Sequence, residues 1–232
     1  MNTIGILGGL GPQATIHFQQ LVLEVSQRLL PRNMNLGYPP MVVHFHRGSP
    51  MAMDDSGKLL VPPQPAPSLL ETARRIGRDA NILVFVSNGV HLFARDLEAA
   101  SGIPVLNLID LVLAEVRQRG WKKVGVLTYY DPRIYEQPVR ESGLEPETLG
   151  KDLQAPLDAG IEAVIEGRAG ADHAANAQRA LSALRARQVD GTILGCTEIP
   201  FLLDERARPD SPDLIDPLPL LAEAAVRRAA HS

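Results

Sequence analysis

The stretch Ile4-Gly5-Ile6-Leu7-Gly8-Gly9-Leu10-Gly11-Pro12-Gln13-Ala14-Thr15 decides the fold class. Residues 3–7 form a short, apolar, β-branched run, and Gly8, Gly9, Gly11 and Pro12 turn the chain. Residues 14–30 then carry Ile16, Phe18, Leu21, Val22 and Val25 at helical spacing. Strand, glycine turn and helix in that order open a βαβ unit. Working outward, residues 41–45 give a second strand and residues 48–67 a long loop rich in Pro, Gly and Asp, a length often tied to function. A helix over 68–79 and a third strand over 82–86 follow, the strand apolar throughout, as a parallel strand buried on both faces is. It runs into Ser87-Asn88-Gly89-Val90-His91. A helix around 92–100, the pair Val105-Leu106, a helix over 111–119 and a strand over 123–127 continue the alternation. The spacing therefore predicts an α/β fold with parallel sheets and right-handed crossovers.

The second half restarts the first. Val124-Gly125-Val126-Leu127 echoes Ile4-Gly5-Ile6-Leu7, and Thr192-Ile193-Leu194-Gly195-Cys196-Thr197 echoes Val84-Phe85-Val86-Ser87-Asn88. This predicts two pseudo-symmetric lobes, each a parallel sheet flanked by helices, over residues 1–107 and 108–213. The Ala-rich segment that follows Asp216-Pro217, within residues 214–232, is expected to pack back on the first lobe as a helix. Ligands of open α/β sheets bind beyond the carboxyl ends of the strands, where Ser87 and Cys196 both fall, so the site is expected in a cleft between the lobes.

Composition narrows the function. The chain has 232 residues, 45% hydrophobic and 22% charged, enough to bury one large core or two smaller ones. A net charge of -4 and a pI near 5.9 supply no basic face for nucleic acid, which favours a small metabolite. A single cysteine excludes an internal disulfide framework and a cysteine-rich zinc site and suits a reducing, cytoplasmic compartment. The first residues lack a signal-peptide pattern, and no apolar run reaches the roughly 18 residues of a membrane helix.

Individual motifs each have a bland reading. Gly9-Leu10-Gly11-Pro12-Gln13-Ala14 fits the G-x-G-x-x-A dinucleotide fingerprint, but the second strand ends in His44-Phe45-His46-Arg47, with no acid for the ribose. The turn is better read as an anion-friendly one that receives a carboxylate. His44 and His46 share a strand face without a third metal ligand in sequence, and no metal is expected. His91 fits a capping or packing role as well as a base. Residues 204–213 read as a solvated charged loop. Cys196 could be an inert core thiol. Its place after an apolar strand, beside Thr197 and Glu198, which offer hydrogen bonds, argues for more, and modest help from a helix N-terminus can place a thiolate there at neutral pH.

Four segments resemble one family in the right order along the chain. The opening motif from Ile4 to Thr15, the Ser87-Asn88-Gly89-Val90-His91 turn, Gly195-Cys196-Thr197-Glu198 and Ile215-Asp216-Pro217 are similar to the aspartate/glutamate racemases. The resemblance implies two α/β lobes, no pyridoxal phosphate or other cofactor, no metal, and a homodimer acting on a small carboxylate. It further implies acid/base work by two cysteines on opposite faces of the substrate, in a C-N-T-A-H turn and in G-C-T-E. Here the first is Ser87 and the threonine after it is Gly89. Carried over residue by residue, Cys196 and Ser87 are the catalytic pair, and Asn88, Gly89, Thr128, Tyr129 and Thr197 bind the substrate with Gly9 and Leu10 of the opening turn. Arg168 stands for the family's lysine near Glu166-Gly167 and would orient a second acidic group. The Thr/Gly-rich carboxylate turn is replaced by Thr128-Tyr129-Tyr130-Asp131-Pro132, a bulkier and more aromatic pocket. The expected reaction is racemisation at the α-carbon of a small acidic amino acid. The alternatives are a single-thiol decarboxylase of a substituted malonate and a non-catalytic ligand-binding relative.

Overall fold

The computed structural model describes residues 1–203 and 211–231, so most of the charged stretch 204–213 lies outside the described residues. Two compact units emerge: Met1–Asn107 with the chain from Leu221 on, and Leu108–Leu220.

In unit 1, β1 (Ile4–Gly8), α1 (Pro12–Leu29), β2 (Met41–Phe45), α2 (Pro67–Gly77), β3 (Ile82–Phe85), a 3-10 turn (Gly89–Phe93) and α3 (Ala94–Ser101) follow one another. The sheet order is β2-β1-β3, all parallel, so the motif that opens the chain supplies the central strand. Val105 adds only an isolated parallel bridge to Leu83. α1 turns Ala14, Thr15, Phe18, Val22, Val25 and Ser26 inward. Ile16, expected on that face, is 62% exposed, because the buried stripe follows positions 14, 18, 22 and 25 and position 16 falls off it. The 48–67 excursion is folded back on itself by antiparallel bridges Met51 to Pro65 and Met53 to Leu59.

Unit 2 contains α4 (Leu108–Gln118), β4 (Lys123–Leu127), α5 (Arg133–Glu141), β5 (Glu145–Glu147), α6 (Lys151–Ile165), α7 (Ala171–Arg185), β6 (Gly191–Leu194), α8 (Ile199–Leu202) and β7 (Leu214–Ile215). Its sheet, β5-β4-β6-β7, is again all parallel, with β4 and β6 in the places of β1 and β3. Leu214 and Ile215, at the start of the 214–232 segment expected to return to the first lobe, instead pair with β6 as β7. Both are apolar and buried, Ile215 also β-branched, and the Asp216-Pro217 step starts α9 (Pro217–Ala230) only after them. From Leu221 on, α9 belongs to unit 1, where Asn2 N–H donates to Ala229 O (2.8 Å) and Arg28 pairs with Glu223 (2.8 Å).

The echo between the two central strands has a packing cause. A Cβ on Gly5 would collide with Ile76 and Ala80 behind α2, and one on Gly125 would lie 2.7 Å from Thr192 Oγ1 and 3.2 Å from Leu184 of α7. Each central strand thus needs glycine at the same place for its neighbours to close on it. Gly5→Ala and Gly125→Ala should each destabilise the protein by about 1–3 kcal/mol through overpacking, read as a lower urea midpoint. Midpoints equal to the parent's would show that the close approach carries no weight.

Candidate active site

Both units end their central pairing identically. Leu7 is the register partner of Phe85, and Leu127 that of Leu194. One residue on, Val86 N–H donates to Leu7 O (3.1 Å) and Gly195 N–H to Leu127 O (2.6 Å). Ser87 and Cys196 therefore stand at equivalent addresses, two residues beyond the last paired residue of β3 and β6.

In unit 1, Ser87 is half-buried and its carbonyl accepts a hydrogen bond from His91 Nδ1 (2.9 Å). Asn88 is buried at the start of the 3-10 turn, while Gly89 is exposed with open space around it. The His91 ring packs 5.0 Å from that of Phe85, and burial lowers its pKa to about 4. A neutral His91 braces the turn rather than taking up a proton at neutral pH. Gly9 adopts φ +84°, and His46 leaves no room for a side chain there. Its N–H is already spent on Thr15 Oγ1 (2.9 Å), and Thr15 in turn donates to Gly11 O (2.9 Å). Leu10 packs against the apolar cluster of the unit.

In unit 2, Gly195 precedes the thiol because a Cβ there would meet Tyr135, Leu127 O and Thr128 Cγ2, all within 2.9 Å. Cys196 lies in an apolar core cluster of unit 2, its Sγ 3.2 Å from Glu198 Oε2, which also accepts the Thr197 hydroxyl (2.8 Å). Thr128 and Tyr129 follow β4, with Tyr129 packed on the same cluster as Cys196. Arg168 is elsewhere. It follows Gly167 at the end of α6, exposed and ion-paired with Glu166, and no hydrogen bond joins it to the Cys196 group.

Buried polar atoms left without a partner among the described residues gather just past strand ends. In unit 2 they are Thr128 Oγ1 after β4, Glu198 Oε1 after β6 and Asp216 Oδ2 after β7. Groups of this kind call for an explanation, and a ligand at the carboxyl ends of the strands supplies one. The family model described as Asp/Glu/Hydantoin racemase matches residues 7–225. The chain belongs to this racemase family. The racemase is similar to the broad specificity amino-acid racemase RacX of Bacillus subtilis (strain 168), at 23% identity over 208 residues and 87% of each chain. Its fold matches the crystal structure of an aspartate racemase homologue from Pyrococcus horikoshii OT3, with 22% identity over all of both chains and a TM-score of 0.75. It also matches unliganded arylmalonate decarboxylase, with 20% identity over 100% of this chain and 94% of that one and a TM-score of 0.54. The racemase is thus an α/β isomerase, as its sequence led one to expect.

The state of the thiol corrects the sequence expectation of a ready thiolate. Burial, reinforced by the Glu198 carboxylate, pushes the Cys196 pKa well above its usual value. The four-residue α8 behind it gives no helix end able to outweigh that. Glu198, which the sequence placed beside the thiol, is its hydrogen-bond partner; Gln154, Asp158 and Glu162, which the sequence reading did not single out, join the turn after β4, and their four-residue spacing was the available signal.

Replacing Glu198 by Gln removes a like charge beside the thiol, so Glu198→Gln should lower the pH at which Cys196 becomes alkylated by iodoacetamide. An unshifted profile would remove Glu198 from the account. Asp216 gives a second pH signature. Burial raises its pKa from 3.8 to about 6, while its Oδ1 accepts Leu218 N–H (3.0 Å). The folded state then binds more protons between those values, so this carboxyl's contribution to stability falls as pH rises from 3.8 to about 6 and stays lost above. Asp216→Asn keeps the acceptor and sheds the charge. It should gain on the order of 1–3 kcal/mol in denaturant unfolding at pH 8 and nothing at pH 3.5.

Proposed function

We propose that the chain is a cofactor-independent amino-acid racemase in which Cys196 carries the α-proton and Ser87, at the equivalent turn of unit 1, is the second group. The observation that carries this reading is the equivalence of the two strand ends, with a thiol at one and a hydroxyl at the other. Glu198 Oε2 takes the Sγ proton as the thiolate takes the proton from Cα, and the bonding pair left on carbon delocalises into the substrate carboxylate as an enediolate. Thr128, Asn88, Gly89 and Leu10 are the groups assigned to hold that carboxylate, since the Thr197 hydroxyl and the Gly9 N–H already donate to Glu198 and Thr15. Positioned acid/base groups of this kind are worth roughly 10² to 10⁴ each in rate. Return of the proton from Sγ regenerates the starting enantiomer. Inversion needs a proton from the other face, and a serine hydroxyl is a far weaker acid than a thiol. Solvent exchange should therefore run ahead of inversion.

A single thiol also suits protonation of an enediolate after carbon dioxide leaves a substituted malonate. The fold shared with arylmalonate decarboxylase makes that the second reading. Incubating the enzyme with amino acids in D2O separates the two. The racemase reading expects α-deuterium in recovered substrate faster than loss of optical activity, a rise in racemisation for Ser87→Cys, and a loss of at least about 10²-fold in exchange for Cys196→Ser. No α-deuterium with any amino acid, together with carbon dioxide release from phenylmalonate, would replace it by the decarboxylase.

A further inference from the structure

A polar stripe of α6 is joined to the turn after β4. Gln154, Asp158 and Glu162 recur every four residues and form one stripe. All three engage the turn after β4. Gln154 Nε2 donates to Thr128 O (2.9 Å) and Asp158 Oδ1 (2.8 Å), and Tyr130 N–H donates to the same Asp158 oxygen (3.0 Å). The hydroxyls of Tyr129 (3.0 Å) and Tyr130 (2.6 Å) both donate to Oε1 of Glu162. To reach it, Tyr130 sits at φ +54°, in the left-handed region, with its ring 4.2 Å from that of Tyr129.

This is an unusual way to keep a helix carboxylate. Its neighbours one turn away on either side are Asp158 and Glu166, both acidic, where a lysine or arginine would be favourable. The tyrosine hydroxyls, Tyr130 first, hold its pKa below the ordinary value, so it is charged. Both bonds fall on Oε1, and Oε2 has no hydrogen-bond partner among the described residues. Arg168, the one basic group expected from the sequence to meet an acidic substrate, is ion-paired with Glu166; its charge also helps to lower the Glu162 pKa, but it makes no hydrogen bond to that carboxylate. A fixed carboxylate flanked by two aromatic rings is the chemistry that recognises an organic cation.

The same stripe is linked to the thiol through Asp158 and Tyr129. Asp158 is near enough for its charge to act on Cys196, and Tyr129 packs on the cluster that contains the thiol. Glu162 is four residues further along the helix, about 6 Å on. Thr128, which opens the same turn, keeps its buried Oγ1 without a partner among the described residues, a second polar atom awaiting a ligand.

We propose that Glu162, presented by Tyr129 and Tyr130, selects substrates whose side chain ends in a cation, an ammonium or a guanidinium, over acidic ones. The proposal rests on the racemase reading. Its test compares L-lysine, its neutral analogue L-norleucine, and L-aspartate with L-glutamate, in the whole protein and in Glu162→Gln. Racemisation by the parent should favour lysine over norleucine by about tenfold or more in kcat/KM. That ratio should collapse to within about threefold in Glu162→Gln, through KM, with Tyr129→Phe/Tyr130→Phe intermediate. Calorimetry on Cys196→Ser, alone and combined with Glu162→Gln, reads the same preference as binding without turnover. Faster turnover of aspartate or glutamate than of lysine, or a lysine preference that survives Glu162→Gln, would overturn the specificity and leave the racemase standing. Preferential lysine binding that needs Glu162, with no α-exchange of any amino acid, would keep the specificity and overturn the racemase. Absence of both turnover and lysine binding would overturn both.

Discussion

The parallel register of the third strand on the first, closed in each unit by one last main-chain bond, is the constraint from which the site hangs. Val86 N–H on Leu7 O and Gly195 N–H on Leu127 O fix where pairing stops and hence which residue is first free to turn away. A slip of one residue would reverse every side chain of a strand between the two faces of its sheet. Such a slip is barred because both faces are buried: Ile82 to Phe85 and Gly191 to Leu194 are enclosed throughout. Gly5 and Gly125 make the same point from the central strand, since each marks a place where no side chain fits. Precise placement of a reactive group therefore costs no dedicated scaffold. It follows from packing that the fold requires anyway.

On this common backbone the two turns have diverged in environment. Unit 1 puts the bulky, buried Val86 before a half-buried serine, and a neutral histidine ties the serine's carbonyl to the turn. Unit 2 needs glycine before its cysteine, since Tyr135 and Thr128 crowd the spot, and the thiol then sinks into the apolar cluster against a buried carboxylate. A thiolate there would be opposed by desolvation and by a like charge, so the proton stays on sulfur at rest. A thiol of that kind is poorly reactive towards oxidants and alkylators, whose target is the thiolate.

Much of this was legible in the sequence for an identifiable reason. Parallel strands buried on both faces are nearly all apolar, so β1, β3, β4 and β6 announce themselves, and the glycines that let helices close on them produce the echo between halves. The edge strand β5 does not, because Glu145-Pro146-Glu147 carries two acids and a proline with no apolar run. α5 and α6 contain Pro138 and Pro156, which read locally as breakers although tertiary packing keeps both helices. The candidate site divides similarly. The equivalent strand-end positions of Ser87 and Cys196 were legible because strand ends are visible in a sequence. The protonated state of Cys196 was not, since it depends on which way Glu198 turns, and neither was the Tyr129-Tyr130-Glu162 group, which joins residues more than thirty positions apart across a left-handed tyrosine.

The acidic surroundings of Cys196 bear on how a racemase built this way would begin its reaction. Asp158 and Glu198 both raise the thiol's pKa through their charge, and a substrate carboxylate placed among them would be repelled, more so as the enediolate gains charge. An amino acid also carries an ammonium on the same carbon. Turned towards these carboxylates, the ammonium offsets the field that holds the proton on sulfur, and its presence makes Cα–H more acidic by stabilising the adjacent carbanion. The substrate carboxylate is then directed to a neutral donor such as the Thr128 hydroxyl, which is buried and has no other partner among the described residues. On the proposed mechanism, binding of the amino acid would release the thiol proton to Glu198. A buried, resting thiol in an acidic pocket is in this sense compatible with base catalysis, provided that the charge of a bound substrate supplies the condition for a thiolate.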